Sequence, residues 1–214
     1  MNVEASSMVQ NYFKSKNIEV ILFEGHKTYE SVKNHPDLYM FYDGVLFCEP
    51  SVDIDLPKVL GPTIGKKYPE NIKYNLAKVG KYIIGLKAMV PDFLMKHFEE
   101  KEYVFIDTCQ GYAKCSTGVV DDNSVITSDE SIAKACQAHG IEVLLIEPGH
   151  IKLPGLSYGF IGGACLRVGQ EMFFSGDIRK HPNYKEIKAF LHDRNLECQW
   201  TNEPLIDLGS FIGM

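Results

Sequence analysis

A chain of 214 residues with 45% hydrophobic and 23% charged side chains has an ordinary globular composition and can bury a sizeable core. Its net charge of −6, without any run of lysines and arginines, argues against nucleic acid or an acidic membrane as a partner. No apolar stretch predicts a membrane span, and the first residues lack a secretory signal pattern, so a cytoplasmic location is expected. The six cysteines include no C-x-x-C pair and are expected to be free thiols.

The chain opens with a helix followed by a strand, and this pair recurs later in the sequence. The spacing of apolar residues predicts a helix over residues 5–17, and the phrase IEVILFEGH at 18–26 predicts a strand. The same order returns as a helix at 128–140 and the nearly identical phrase IEVLLIEPGH at 141–150. Two matching units of this kind predict an internal repeat.

Hairpins precede the later helices. Paired strands with a polar turn are predicted at residues 35–50, 72–86, 111–129 and 159–177. The last two align without a gap at a spacing of 48 residues. A helix and a third strand follow each of the last three hairpins, whereas a proline-containing stretch follows the first. The repeating unit is therefore strand, strand, helix, strand, or ββαβ.

The two ends of the chain look like parts of one split unit. The chain begins with a helix and a strand, and it ends with an apolar segment at 204–214 that predicts an opening strand. A closed ring would join these parts and would also remove open sheet edges. The sequence thus predicts an α/β propeller of about five ββαβ modules, closed by the C-terminal strand, as a single domain over residues 1–214.

Five such modules in a ring resemble the penteins. This fold of guanidine-group-modifying enzymes includes arginine deiminases, dimethylarginine hydrolases, amidinotransferases and a non-catalytic translation factor. The resemblance extends to a small bacterial family of this fold without a characterised function, through the motifs NHPD, QGYAKCS, ITSDESIAKA, PGHIKLPG, YGFIGGA, SGD, KHP and IDLGSFI. It covers nearly the whole chain, most densely from Gln110 to Asp177, and implies a pentein-like fold with a guanidine- or amidine-type ligand.

The resemblance also implies where catalytic residues would lie. Catalytic penteins carry a cysteine nucleophile near the C-terminus and an acid/base histidine at the opening of an earlier hairpin. These positions fall at about Gly209 and near Gln110 in this chain, and neither residue matches. The sequence therefore departs from the hydrolase pattern at both chemical positions.

In a ring of this kind the inner strands converge on one axial cavity, so polar residues at equivalent module positions are expected to meet there. The predicted catalytic residues are Cys115, His150 and Asp129. The predicted substrate-binding residues lie at hairpin openings and strand ends: Asn34, His35, Asp37, Gln110, Lys114, Gly162, Gly163 and Asp177.

Cys115 is the candidate nucleophile because Lys114 and a hairpin mouth would lower its pKa, and the thiolate is the reactive form. The same cysteine equally fits a buried, small apolar residue. His150 follows Pro-Gly in a turn-rich loop, where an imidazole suits acid/base chemistry or turn stabilisation. Its repeat partner His26 is a weaker candidate.

Asp129 and Asp177 end equivalent strands. Their carboxylates suit bidentate binding of a guanidinium group, and they equally suit N-capping of the helix that follows. Gly162 and Gly163 would allow a ligand to approach the backbone or would ease packing at the axis. The glycine pattern matches no nucleotide-binding motif.

The phrases NHPD at 34–37 and KHPN at 180–183 form a second pair of similar sequences. His35 and Asp37 are two residues apart, a spacing that suits an imidazole–carboxylate pair and matches no common zinc motif. Neither a metal nor a cofactor is predicted. Metal-assisted hydrolysis remains an open alternative, with the candidates His35, Asp37, Asp129, His150, Asp177 and His181.

The sequence favours a protein that binds a small guanidine- or amidine-bearing molecule in an axial pocket, with hydrolysis of that molecule left open. If the protein is an enzyme, it is expected to be a C–N hydrolase. The alternative is a non-catalytic module of the same fold that uses its surface for protein partners. The sequence leaves the oligomeric state undetermined.

Overall fold

Four three-stranded sheets form the framework of the computed structural model, which describes residues 1–213. In each sheet the first two strands form an antiparallel hairpin and the third strand runs parallel to the second. The strands are β1 Met40–Tyr42, β2 Leu46–Cys48, β3 Lys58–Leu60, β4 Ala77–Val79, β5 Tyr82–Gly85, β6 Val104–Asp107, β7 Gly118–Asp121, β8 Ser124–Thr127, β9 Glu142–Leu145, β10 Cys165–Val168, β11 Glu171–Phe174 and β12 Glu197–Trp200.

Helices connect the second strand to the third in three of the four sheets. The helices are α1 Ser7–Ser15, α2 Pro36–Tyr39, α3 Asp92–Glu100, α4 Ala113–Ser116, α5 Glu130–Ala138 and α6 Tyr184–His192. Short 3₁₀ turns occupy Glu30–Val32, Lys87–Met89 and Ile178–Lys180. The first sheet has no helix between β2 and β3, as the proline-containing stretch predicts. The ββαβ order is confirmed for the other three sheets.

Two of the three connecting helices begin at a recognisable N-terminal signal, and all three bury one apolar face. Asp129 caps α5 by accepting from the backbone N–H groups of Ser131 and Ile132. Pro91 precedes α3, where its missing N–H costs no helix hydrogen bond. Apolar side chains of α5 and α6 are buried against the sheets, which fixes the helices on one side of each module.

The predicted fifth module and its closing strand are not formed as a sheet within residues 1–213. Asn2 makes one isolated parallel bridge with Phe23. The predicted closing segment makes another through Ile206, with Lys152 as its partner, and residues 207–213 form no strand. The chain ends pack through side chains instead, because Phe211 lies against Phe13 and Phe173 with ring centroids 5.2 and 6.1 Å apart. The last residue of the predicted strand, Met214, lies outside the described residues. The sheets therefore do not join into a closed propeller.

The gap-free repeat alignment is correct in kind and one residue off in register. The equivalent strands β7 and β10 begin at Gly118 and Cys165, 47 residues apart. The second strands β8 and β11 begin at Ser124 and Glu171, also 47 residues apart, so the slip lies before the hairpins begin. No helix among residues 1–213 has the length and apolar content needed to cross a membrane.

Candidate functional site

Five chain segments meet where the first strands of the modules begin, and hydrogen bonds join them in sequence. The N–H of Asp37 donates to the carbonyl oxygen of Gly209 at 3.3 Å. The Asn75 side-chain Nδ2 donates to the carbonyl of Asp37 at 3.4 Å, and its Oδ1 accepts from the N–H groups of Lys114 at 2.8 Å and Cys115 at 3.4 Å. The first three segments are therefore tied to one another and to the C-terminal segment.

The remaining two links complete the circuit. The N–H of Gly163 donates to the carbonyl of Cys115 at 2.9 Å. The carbonyl of Gly163 in turn accepts from the N–H groups of Leu208 at 2.9 Å and Ser210 at 3.3 Å. We call this circuit the collar and define it by Asp37, Asn75, Lys114–Cys115, Gly162–Gly163 and residues 207–210. The collar connects the segments although the sheets themselves remain separate.

Two glycines allow the collar segments to come this close. Gly209 has φ +70°, and a Cβ added there would overlap the Cα and Cβ of His35. A Cβ at Gly163 would overlap the carboxylate of Asp207. The position that the pentein resemblance assigns to a cysteine nucleophile is therefore one where no side chain fits.

A buried polar cluster lies inside the collar. One carboxylate oxygen of Asp37, Oδ2, accepts from Cys115 Sγ at 2.8 Å and from Ser210 Oγ at 2.7 Å. The other oxygen, Oδ1, is buried and has no hydrogen-bond partner among residues 1–213. Asp37, Cys115 and Ser210 are 1%, 2% and 0% exposed, so water does not reach this cluster freely.

Burial sets the protonation of these groups. It raises the pKa of Asp37 to about 6, although His35 and the two hydrogen bonds oppose that rise. Burial also raises the pKa of the Cys115 thiol well above its usual value, and the negative charges of Asp37 and Asp207 add to the effect. This direction is opposite to the lowering expected from Lys114. Cys115 is therefore a neutral S–H donor at neutral pH.

His35 lies at the edge of the same cluster. Its Nδ1 is 4.0 Å from Asp207 Oδ1, and both residues are buried. The Asp207 carboxylate is held in place because it accepts from the N–H groups of Gly209 at 2.9 Å and Phe160 at 2.8 Å. The predicted residues His35, Asp37, Cys115, Gly162 and Gly163 thus come together, joined by three that sequence reasoning missed: Asn75, Asp207 and Ser210.

An axial cavity of about 300 Å³ extends from the collar between the first strands of the four sheets. The side chains nearest the collar include Met40, Leu76, Lys114 and Cys165, and those farther along the strands include Tyr42, Lys78, Asp121, Asp122 and Arg167. Residues 211–213 complete the wall. Of the predicted site residues, only Lys114 lines this cavity.

The cavity contains one free cation close to the collar. Lys78 is paired with Asp43, and Arg167 donates to the backbone carbonyls of Val120 at 3.2 Å and Gly169 at 3.0 Å. By contrast, no described residue accepts a hydrogen bond from the Lys114 ammonium. Burial raises the pKa of the neighbouring Cys165 thiol, and the Lys114 charge opposes that rise.

Asp129 and Gln110 form a pair outside the axial cavity. Gln110 Nε2 donates to Asp129 Oδ2 at 2.9 Å, while Asp129 Oδ1 accepts from the N–H groups of Ser131 and Ile132 at 2.9 Å each. Partial burial acts to raise the pKa of Asp129, but these hydrogen bonds outweigh it and leave the pKa below its usual value. The geometry is that of an N-cap, one of the two readings that the sequence allows.

The other predicted site residues make contacts outside the axial cavity, mostly with residues close to them in the chain. Asp177 forms an ion pair with Arg179 at 2.7 Å and caps the 3₁₀ turn that follows. His150 is exposed, with its Nε2 3.8 Å from Glu147 and its ring centroid 5.2 Å from that of His181. Asn34 Oδ1 accepts from the N–H of Gly25 at 3.1 Å. None of these side chains lines the axial cavity.

Thiol alkylation tests the state of Cys115. We expect iodoacetamide to modify exposed Cys109 in the native protein and to leave Cys115 intact until the protein unfolds, because a buried, protonated thiol neither contacts the reagent nor attacks it. Peptide mass spectrometry of a time course measures both sites. A Cys109→Ser variant should lose the fast reaction. Alkylation of native Cys115 at the rate of Cys109 would show an accessible thiolate instead.

Comparison with known proteins supports the fold and gives the family. The structure is similar to agmatine deiminase from C. jejuni, with a TM-score of 0.50 and 10% sequence identity, over 98% of this chain and 80% of that chain. At this identity the similarity describes the fold alone and supports a pentein-like architecture. No curated protein matches the sequence. A family model matches residues 1–212, and the chain therefore belongs to DUF6873, a family of unknown function.

Proposed function

We propose that the axial cavity binds a small molecule with a carboxylate at one end and a guanidine or amidine group at the other. The observation that carries the proposal is the unpaired Lys114 ammonium near the collar end of the cavity. A buried or half-buried ammonium without an acceptor favours an anionic group, because a charge-assisted hydrogen bond replaces the water that the cation loses.

The far end of the cavity supports the cationic half of the ligand. Asp121 and Asp122 lie at the β7–β8 turn and line the same space as Lys114. Asp121 Oδ2 is 3.6 Å from Arg194 Nε, so Asp122 is the carboxylate proposed to bind the ligand. Carboxylates bind the planar guanidinium group in a bidentate fork. The similar fold of agmatine deiminase, which by its name acts on a guanidine compound, agrees with this class of ligand.

The proposed role is binding rather than thiolate chemistry. Cys115 points to Asp37 within the collar, and Cys165 lines the cavity as a thiol whose pKa is raised by burial. Neither offers a thiolate at neutral pH. Hydrolysis of the ligand is a separate proposal. It would be supported by release of ammonia or urea that is lost in the Cys115→Ala variant and kept in the Cys165→Ala variant.

A ligand panel tests the binding proposal. We expect 4-guanidinobutyrate or arginine to stabilise the protein in a thermal-shift assay, with a ligand at 100 times its Kd adding about 2.7 kcal/mol. Lys114→Met should weaken that binding by about tenfold to hundredfold, the value of a hydrogen bond to a charged group. Isothermal titration measures the change in Kd.

Two controls make the result specific. Lys185→Met removes an exposed lysine of α6 and should leave binding unchanged. Agmatine, which has the guanidine group without a carboxylate, should bind more weakly than 4-guanidinobutyrate. Equal binding of the two compounds, or unaltered binding by Lys114→Met, would contradict the proposal.

A second candidate is the protein-interaction module. An apolar cleft of about 830 Å³ adjoins the axial cavity and shares Met40, Tyr42 and Phe211 with it. Ile18, which is 39% exposed, lines this cleft on the segment that carries the first repeat phrase. A failure of every compound in the panel, together with a partner whose binding is lost in Ile18→Asp, would favour this role.

A further inference from the structure

Three potential metal ligands converge inside the collar. One nitrogen of His35, one oxygen of Asp37 and the sulfur of Cys115 all lie within 4.8 Å of one another. All three residues are buried, at 3%, 1% and 2% exposure. His35 and Asp37 come from the start of α2, whereas Cys115 comes from α4, so only the folded chain brings the set together.

The hydrogen bonding of this group is incomplete in a way that a metal ion would complete. Asp37 Oδ1 is buried and has no partner among residues 1–213. Neither ring nitrogen of His35 makes a hydrogen bond to a described residue. Buried polar atoms are normally paired, because an unpaired one has lost its water without gaining another partner. One unpaired, buried carboxylate oxygen beside an imidazole without a hydrogen bond and a thiol is a set of donor atoms that a bound cation would satisfy.

The local charge has the sign that a cation requires. Asp37 and Asp207 are both at least 98% buried, and the imidazole of His35 is 4.0 Å from the second carboxylate. Buried carboxylates are tolerated when they are paired or coordinate a metal. Asp207 is already oriented by the N–H groups of Phe160 and Gly209, which is how outer-sphere contacts hold a metal ligand.

We propose that His35, Asp37 and Cys115 bind one divalent transition-metal ion of the Zn²⁺ class. A nitrogen, an oxygen and a sulfur ligand together select this class over Mg²⁺ or Ca²⁺. Bonds from zinc to nitrogen, oxygen and sulfur are about 2.0–2.3 Å long. The three side chains reach these lengths by rotations that shift their ligand atoms by about 1 Å. The ion replaces the thiol proton, which leaves to solvent, and Asp207 or a water molecule supplies the fourth ligand.

Metal content and cobalt substitution test the proposal on the full chain, without a polyhistidine tag. We expect about one equivalent of zinc per chain, or uptake of one equivalent of Co²⁺ with intense visible bands of a tetrahedral site. A thiolate-to-cobalt charge-transfer band in the near ultraviolet should accompany them. That band should disappear in Cys115→Ser and persist in Cys165→Ser, which removes another buried thiol near the collar.

The wild-type spectrum decides the matter even if a variant fails to fold. A folded wild-type protein that takes up neither zinc nor cobalt at micromolar concentration overturns the proposal, as does a charge-transfer band that survives in folded Cys115→Ser. Asp37→Asn keeps the size of the side chain and should weaken cobalt binding at least tenfold. Unchanged affinity in that variant would also count against the site.

Discussion

Gly209→Ala is expected to lower the free energy of unfolding by more than about 4 kcal/mol, enough to unfold many domains of this size. Gly209 has φ +70°, and a methyl group there would overlap the backbone of His35 as well as its side chain. Because the Cα and Cβ atoms of His35 keep their positions when its side chain changes rotamer, the clash cannot be relieved in that way. The collar would have to open between the C-terminal segment and α2. Urea unfolding followed by circular dichroism measures the effect.

Gly169→Ala is the matched control. Gly169 also has positive φ, +59°, but an added Cβ there meets no atom within 4 Å. This substitution should cost only about 1 kcal/mol, the usual penalty for alanine in the left-handed region. A similar loss in the two variants would show that close packing against His35 contributes little and that the collar is loose at this point.

Asn75→Ala is expected to have the second largest effect, a loss of about 3 kcal/mol or more in unfolding free energy. The Asn75 side chain joins three collar segments, because its amide accepts from Lys114 and Cys115 and donates to Asp37. Removing it leaves buried backbone groups without partners, and each such group costs about 1–3 kcal/mol. Thermal and urea unfolding give the measured value.

Asn71→Ala provides the comparison for Asn75. Asn71 is equally buried, but among residues 1–213 its Nδ2 donates only to the hydroxyl groups of Thr28 and Tyr112. Hydroxyl groups rotate to other partners, so we expect a loss of about 1 kcal/mol. If Asn71→Ala proved the more damaging variant, the stability of this region would reside outside the collar.

The modular fold was accessible from the sequence because its signals are local. Alternating apolar residues around polar turns predict the hairpins, and the helix signals at Asp129 and Pro91 predict α5 and α3. The closing strand was not predictable in the same way. Whether residues 204–213 pair as a strand depends on contacts with distant segments. Ile206 makes a single bridge to Lys152, and Phe211 reaches the N-terminal helix through aromatic packing.

The candidate site was accessible only in part. Repeat-equivalent positions indicated Asp37, Cys115 and Gly162 together, and the structure brings them to one collar. The same reasoning placed Asp129, Asp177 and His150 at the axis. In the structure, local capping and surface contacts hold these side chains away from it. Asn75 lies in no motif, and Asp207 lies in IDLGSFI, which drew attention only to the position of Gly209, since an amide or a carboxylate beside a strand is too common to stand out in a single sequence.

Hydrogen exchange at the collar tests the central claim of this account, that five segments close on one another around the axis. The amide protons of Asp37, Lys114, Gly163 and Ser210 should exchange only with global unfolding, at the rate of the central strands β5, β8 and β11. Fragment-resolved mass spectrometry or nuclear magnetic resonance measures this. Exchange of Asp37 and Ser210 within seconds, while the strand amides stay protected, would contradict a closed collar.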